Sequence, residues 1–359
     1  MYLGDIMRAI MEVDINKFNN NIDNIKKIIG NKVIMPIIKA NGYGTYINKN
    51  VDVINKFDIV GVAVVDEGIE LRELGYKKDI FVLNEPSIDE IDKIIKYDIV
   101  VGVCDKSILK KMIESKSKIR VHLEIETGMN RTGIKIDDLE NILKLLKNTN
   151  VMVEGVYTHL SSADKDEKYT NEQLNKFKEA VELSKKYYNL KYIHSSASSG
   201  LLNYNDGVSN MVRPGIIIYG YKPFKNAEID ITPICKLKAK IVFIKEVDKG
   251  VSISYSRTFI TNKKMKIATI QIGYADGIRR GLSNKGKVVI NNKLCNIVGN
   301  ICMDSLMVDV TDIDVKVGDY AYIWDNDLIK LDDIADMCDT INYEIMTCIS
   351  YRVPRVFIE

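Results

Sequence analysis

Several features that would direct a chain of this length to other classes are missing. No apolar run approaches the ~20 residues of a membrane-spanning helix, which argues against a spanning segment. Charge of one sign is also lacking: 51 Lys and Arg against 49 Asp and Glu leave +2, so no field favours nucleic acid or a membrane surface. Six cysteines, Cys104, Cys235, Cys295, Cys302, Cys338 and Cys348, show no CxxC spacing, and neither a zinc site nor a disulfide framework is suggested. Histidine is limited to His122, His159 and His194, for which packing in a core is the ordinary use. The stretch MYLGDIMRAI carries the acidic Asp5 and lacks the apolar segment of a signal peptide, so a cytoplasmic protein is expected. No internal repeat or low-complexity linker interrupts the sequence.

What is present suits a folded globular protein of ordinary composition. With 359 residues, 46% hydrophobic and 28% charged, the chain can bury two cores, or one large barrel with an addition. Apolar runs alternate with amphipathic segments through the first two-thirds. Strands are expected at Val33–Ile38, Ile59–Val65, Ile80–Leu83, Ile99–Val103, Ile119–Ile125, Val151–Thr158, Tyr192–His194 and Asn210–Val212, with helical patterns including Ile15–Ile29, Asp66–Leu74, Ile88–Ile95, Ile136–Leu146 and Asn171–Tyr188. Eight such repeats are the arithmetic of a (β/α)8 TIM-type barrel, whose functional groups lie at the C-terminal ends of the strands. Near Ile231 the periodicity changes. From PICKLKAKIVFIKEV onward, short β-rich runs such as Ile267–Ile272, Lys287–Ile290 and Ala321–Trp324 are separated by turns, with little helical pattern before Ile329. The fold class is therefore α/β, a barrel over 1–230 followed by a mostly β domain over 231–359.

Within this frame Lys39 stands out. It ends the apolar run VIMPII and precedes ANGYG, whose glycines permit a sharp turn or a close approach of backbone to a ligand. His159, Ser198 and Arg213 also follow expected strands, so the same barrel mouth would gather all four. A partly desolvated lysine there loses its proton more readily and can form a Schiff base with an aldehyde cofactor.

The ordered motifs IIKANGYG, ETGMNRTG, THLSSAD, MVRPGIIIYG, SISYSRTF, IGYADGIRRG, GNICMD and NYEIMTCISYRVPR run nearly end to end. In them the sequence resembles the bacterial alanine racemases, pyridoxal 5'-phosphate enzymes of fold type III. The resemblance implies an isomerase that interconverts L- and D-alanine, a small-molecule amino-acid substrate, and a head-to-tail homodimer whose active sites combine one barrel with the partner's β domain. D-alanine supply for peptidoglycan would be the physiological role.

Carried over to this chain, Lys39 would hold the cofactor and act as one base, and Tyr255 from the partner subunit as the other. Two bases on opposite faces of Cα take a proton from one side and return it to the other. Tyr43, Ser198, Tyr343 and the backbone at Gly215 and Ile216 would bind the phosphate. Arg213, with His159 behind it, would face the pyridine nitrogen; an arginine keeps its proton and can only donate. Arg131 would contact the cofactor phenolate and the substrate carboxylate, while Met303, Asp304 and Tyr274 match substrate-pocket and entrance positions.

Three departures are specific to this chain. Glu124 stands where many relatives carry a lysine, often carbamylated, and is expected to supply the anion that orients Arg131. Ala197-Ser198 replaces the usual Asn-Ser, and Thr45-Tyr46 the usual His-Gly. Alternatives are a racemase for serine or a broader range of amino acids, suggested by SSGLLNY, a non-catalytic pyridoxal-phosphate-binding protein, or a decarboxylase on the same two-domain plan. The tyrosine of the β domain, absent from the non-catalytic carriers, favours the racemase.

Overall fold

The computed structural model describes residues 7–359; Asp5 of the N-terminal stretch lies outside them. The chain divides into two compact units, one formed by Asn19–Gly42 and Ile47–Thr232, the other by the segment through Phe18, Tyr43–Tyr46 and Pro233–Glu359.

The strands of the described chain, in order, begin with β1 (Ala9–Asp14), β2 (Val33–Ile34), β3 (Ile59–Val62), β4 (Asp79–Val82), β5 (Val100–Val103), β6 (Ile119–Glu124), β7 (Val151–Tyr157), β8 (Tyr192–His194) and β9 (Met211–Val212). In the first unit β3 to β8 form a six-stranded parallel sheet, and β2 pairs with β9. The two sets join into a barrel. Asn210 N–H donates to the Ile193 carbonyl at 3.0 Å, Ile38 N–H to the Gly61 carbonyl at 2.9 Å, and Gly61 N–H to the Pro36 carbonyl at 2.9 Å. Strands such as β3 and β5 are buried throughout, as befits a parallel sheet whose faces are both covered. The helices Ile15–Ile29, Val65–Glu73, Lys106–Glu114, Ile136–Leu146 and Glu167–Lys185 are spaced between the strands. Asp105 and Asp166 cap two of them by accepting from Ile108 and Tyr169 N–H groups, each a contribution of about 1 kcal/mol.

The second unit is built on β10 (Cys235–Val247), a 13-residue strand. It is followed by β11 (Ser252–Ile253), β12 (Phe259–Ile260), β13 (Met265–Ile270), β14 (Lys287–Ile290), β15 (Lys293–Asn296), β16 (Leu306–Asp309), β17 (Tyr320–Trp324) and β18 (Arg355–Ile358). The sheet order is β15-β14-β17-β10-β1-β18, with β13 bridging β10 and β16. The N-terminal strand β1 thus lies antiparallel to β10 and parallel to β18. Alternation of buried and half-buried residues along the first half of β10 matches a sheet with one face on the core. The helices Leu331–Met337 and Asn342–Thr347 lie between β17 and β18.

Candidate active site

In the barrel unit, Lys39 opens a turn in which Ala40, Asn41 and Gly42 take φ of 52°, 54° and 59°. A left-handed alanine is unfavourable by roughly 1–2 kcal/mol, so something must hold it. The holder is Glu67. One of its oxygens accepts from Ala40 N–H at 2.6 Å and the other from Ala63 N–H at 2.7 Å, tying the segment after β2 to the end of β3. Lys39 is held below the ordinary lysine range first by burial, then by the Arg131 charge, with Arg213 adding and Glu67 opposing. A larger fraction of free amine, the form able to attack a carbonyl or accept a proton, is the consequence.

Arg213 follows β9 and is 1% exposed. One terminal nitrogen donates to His194 Nδ1 at 2.8 Å and the His194 carbonyl at 2.9 Å. The other reaches the Thr158 carbonyl at 2.8 Å, the Ser195 carbonyl at 3.1 Å and His159 Nδ1 at 3.3 Å. Its Nε is buried and finds no acceptor among the described residues. Burial pushes Arg213 down to about 10, still protonated at neutral pH. An unmet buried donor of this kind fits an unprotonated ring nitrogen, an acceptor without a proton of its own.

The arginine also fixes the protons of the histidines. Because His194 Nδ1 accepts, its proton sits on Nε2, 2.9 Å from His122 Nδ1; His122 then carries its proton on Nε2, which has no partner among the described residues. Burial first, and then the neighbouring Arg213 charge, takes His194 well below the usual histidine range. Burial takes His122 to about 3, and burial with Arg213 takes His159 to about 3. All three rings are neutral at physiological pH.

Arg131 lies on the loop after β6. Glu126 accepts from the Gly128 and Asn130 N–H groups, and the Tyr169 hydroxyl donates to the Gly128 carbonyl at 2.7 Å. Ile134 N–H closes the loop on the Glu124 carbonyl at 2.7 Å. Arg131 itself is exposed. The expected pairing with Glu124 does not occur: no ion pair joins them among the described residues, and the Glu124 side chain, 5% exposed, lies 3.2 Å from the Tyr157 hydroxyl instead. Glu124 projects from the strand itself, whereas Arg131 lies beyond the loop that the strand feeds.

Ser198 begins the helix Ser198–Asn203, and its Oγ accepts from Gly215 N–H at 3.0 Å. Gly215 immediately precedes the 3-10 turn Ile216–Tyr219. Two helical N-termini thus meet through this contact, and the unpaired N–H groups of a first turn suit an anion.

The remaining candidates belong to the β unit. Tyr43 and Tyr343 have ring centroids 6.0 Å apart, and burial, followed by the proximity of Tyr343, raises the Tyr43 hydroxyl well above its usual range. Tyr255 is 70% exposed, yet its backbone is fixed. Its neighbours Ser254, Ser256 and Arg257 have φ of 67°, 60° and 50°. Ser254 Oγ donates to the Asn300 carbonyl at 2.5 Å, and Asn300 Nδ2 donates to the Tyr255 carbonyl at 2.9 Å. Strain retained around an exposed aromatic ring points to use of that ring. Tyr274 N–H donates to the Cys302 carbonyl and Ala275 N–H to the Met303 carbonyl, both at 3.0 Å. Asp304 pairs with Arg352 at 2.6 Å. Buried Asp276 receives Arg8, Arg352 and Gly273 N–H. Tyr255, Tyr274, Met303 and Asp304 therefore stand exposed on neighbouring loops.

Sequence reasoning did not single out Glu67 or His194 as supports of the site. For Glu67 the available signal was an acid three residues after Val64 at a helix start, the spacing of a side chain that returns to cap its own N-terminus. His194 carried a weaker one, a histidine at the C-terminal end of a barrel strand.

Family models describe the same two parts of the chain: residues 13–223 match the alanine racemase N-terminal domain and residues 234–357 its C-terminal domain. The alanine racemase of Clostridium kluyveri is 40% identical, over 97% of this chain and 93% of its own. Among solved structures, the alanine racemase of Clostridium difficile 630 superposes with a TM-score of 0.94 at 34% identity, covering 98% of this chain and 96% of its own. That of Bartonella henselae, with covalently bound pyridoxal phosphate, gives 0.88 at 25% identity over 98% and 100%. With both domains matched and nearly the whole length covered, the chain belongs to the alanine racemase family.

Proposed function

We propose that the chain is a pyridoxal 5'-phosphate-dependent alanine racemase, interconverting L- and D-alanine. In this reading it acts in the cytoplasm as a homodimer and supplies D-alanine for peptidoglycan, with the cofactor on residues 1–230 and the second base on residues 231–359. No helix among the described residues is long and apolar enough to cross a membrane.

The observation that carries the reading is the buried Nε of Arg213, which has no acceptor among the described residues, in the same unit as a lysine whose pKa is lowered. Pyridoxal phosphate, when bound, supplies an electron-withdrawing conjugated system that weakens the Cα–H bond of an amino acid joined to it. Arg213 donates to the ring nitrogen and, retaining its proton, keeps that nitrogen unprotonated. Ser198, Gly215 and Ile216 bind the phosphate. Arg131 holds the substrate carboxylate by paired N–H donors. Lys39 exchanges the α-proton on the D side, and Tyr255 of the partner subunit exchanges it on the L side. Met303, Asp304 and Tyr274 line the substrate entrance. The exposed Tyr255, on a rigid turn, suits a group presented to another subunit.

Borohydride reduction of the purified protein tests the cofactor assignment. A band at the edge of the visible range should bleach and leave the label on Lys39; a label on a different lysine would exclude Lys39 as the attachment point.

A further inference from the structure

We propose that Asp206 is a positioning residue for the cofactor, fixing the two segments that carry Arg213 and Ser198. This inference rests on the racemase reading above.

Asp206 is 3% exposed and has no cationic partner among the described residues. A buried carboxylate without a counter-ion is unfavourable unless its oxygens are saturated with donors. These are saturated. One oxygen accepts from the Val208 and Ser209 N–H groups at 3.1 and 2.8 Å. The other accepts from the Ser195 hydroxyl at 2.5 Å and from the Ser209 hydroxyl. Burial alone would raise this carboxyl, but the hydroxyl and backbone bonds outweigh it and hold the group below its ordinary range.

Ser195 is the link to the site. Its carbonyl accepts from Arg213 at 3.1 Å while its hydroxyl is engaged by Asp206. Ser198 lies three residues further along the same segment. On the other side, Ser209 stands four residues before Arg213. Asp206 therefore joins the chain entering the Ser198 helix to the chain entering Arg213, with Ser195 and Ser209 as its two arms. Without the carboxylate, the Ser195 carbonyl loses a fixed position, and the guanidinium loses one of the acceptors that aim its Nε. Asp206 touches neither substrate nor cofactor in this account; its effect passes through other residues.

The test compares wild type with Asp206→Asn and the milder Ser209→Ala. Each resolved protein is titrated with pyridoxal phosphate through its visible-edge band, and alanine kinetics are followed at saturating cofactor. Asp206→Asn should raise the cofactor Kd about tenfold or more and Ser209→Ala severalfold, with the KM for alanine at saturating cofactor unchanged. A purely structural role would lower the melting temperature and leave the Kd of the folded protein where it was. Should Asp206→Asn fail to fold, Ser209→Ala decides: an unaltered Kd overturns the inference. Wild type that takes up no cofactor would overturn the racemase reading and this inference together, whereas normal wild-type uptake with unaltered variants would overturn this inference alone.

Discussion

Glu124 and Tyr157 are register partners across β6 and β7, and the Glu124 carboxylate lies 3.2 Å from the Tyr157 hydroxyl. The same hydroxyl is 3.0 Å from the Leu83 carbonyl, and the Tyr157 ring lies under the Arg213 guanidinium, 5.7 Å from its centroid. The Glu124 charge thus favours the protonated form of Arg213, and no ion pair joins Glu124 to Arg131 among the described residues.

Replacing Glu124 by Gln should then act on stability more than on substrate binding. A Gln oxygen can still accept from Tyr157, but the charge that offsets buried Arg213 is removed, a loss of about 1–3 kcal/mol. The KM for alanine should stay within about threefold, because no charge-assisted contact with Arg131 is broken. Urea unfolding and steady-state kinetics of Glu124→Gln check both halves. Wild-type activity should also be indifferent to bicarbonate, since a carboxylate, unlike a carbamate, needs no dissolved CO2.

The buried histidines predict a pH dependence with a definite sign. His122 and His159 are pushed down to about 3 and His194 well below 6.5. They stay neutral in the fold and take up protons on unfolding below about 6.5. Stability is therefore complete above that pH and falls as the pH drops from 6.5 toward 3, each ring adding a slope that approaches about 1.4 kcal/mol per unit. Asp79 and Asp206, both held low, add losses only below the ordinary aspartate range. Urea midpoints at pH 7, 6 and 5 should decline in order; a flat series would contradict the neutral-ring assignment.

Gly299 supports the Tyr255 turn. Its φ is +79°, and a Cβ there would lie 2.6 Å from the Ile253 carbonyl oxygen and 2.7 Å from Ser254 Cβ. Gly299→Ala should shift the turn that presents Tyr255 and reduce kcat by about tenfold or more, with a destabilisation of about 1–3 kcal/mol. Kinetics alongside a thermal melt separate the two effects, and wild-type kcat in a folded variant would show that the turn tolerates the change.

How much of this was legible in the sequence depends on how local the signal was. The helices Ile15–Ile29 and Ile136–Leu146 and the strand Tyr192–His194 have the boundaries that their periodicity gives. The run Val33–Ile38 shortens to Val33–Ile34, with a single bridge at Ile37, because Pro36 has no N–H to give to a ladder. Ile88–Ile95 splits into a 3-10 turn and a helix at Ile91. β1 was not expected, since its partners β10 and β18 are more than two hundred residues away and no neighbouring run suggests a sheet. Lys39, Ser198 and Arg213 are visible as polar residues after apolar runs. Glu67 is marked only by its spacing from Val64 at a helix start, and Asp206 not at all, because nothing in its immediate sequence distinguishes a buried acid from a solvated one.

The proposed sharing of the active site between subunits makes a separate prediction. Mixing Lys39→Ala with Tyr255→Phe should restore one complete site in each mixed dimer, roughly a quarter of all sites at equal proportions. Demonstrated subunit exchange without recovered activity would place both bases within one chain.

The most direct measurement follows the optical rotation of L-alanine incubated with the protein and added pyridoxal phosphate. Rotation should decay to zero as D-alanine rises to an equal concentration, and Lys39→Ala should abolish the decay. Constant rotation in the presence of folded, cofactor-loaded wild type would contradict the assignment of alanine racemisation to this chain.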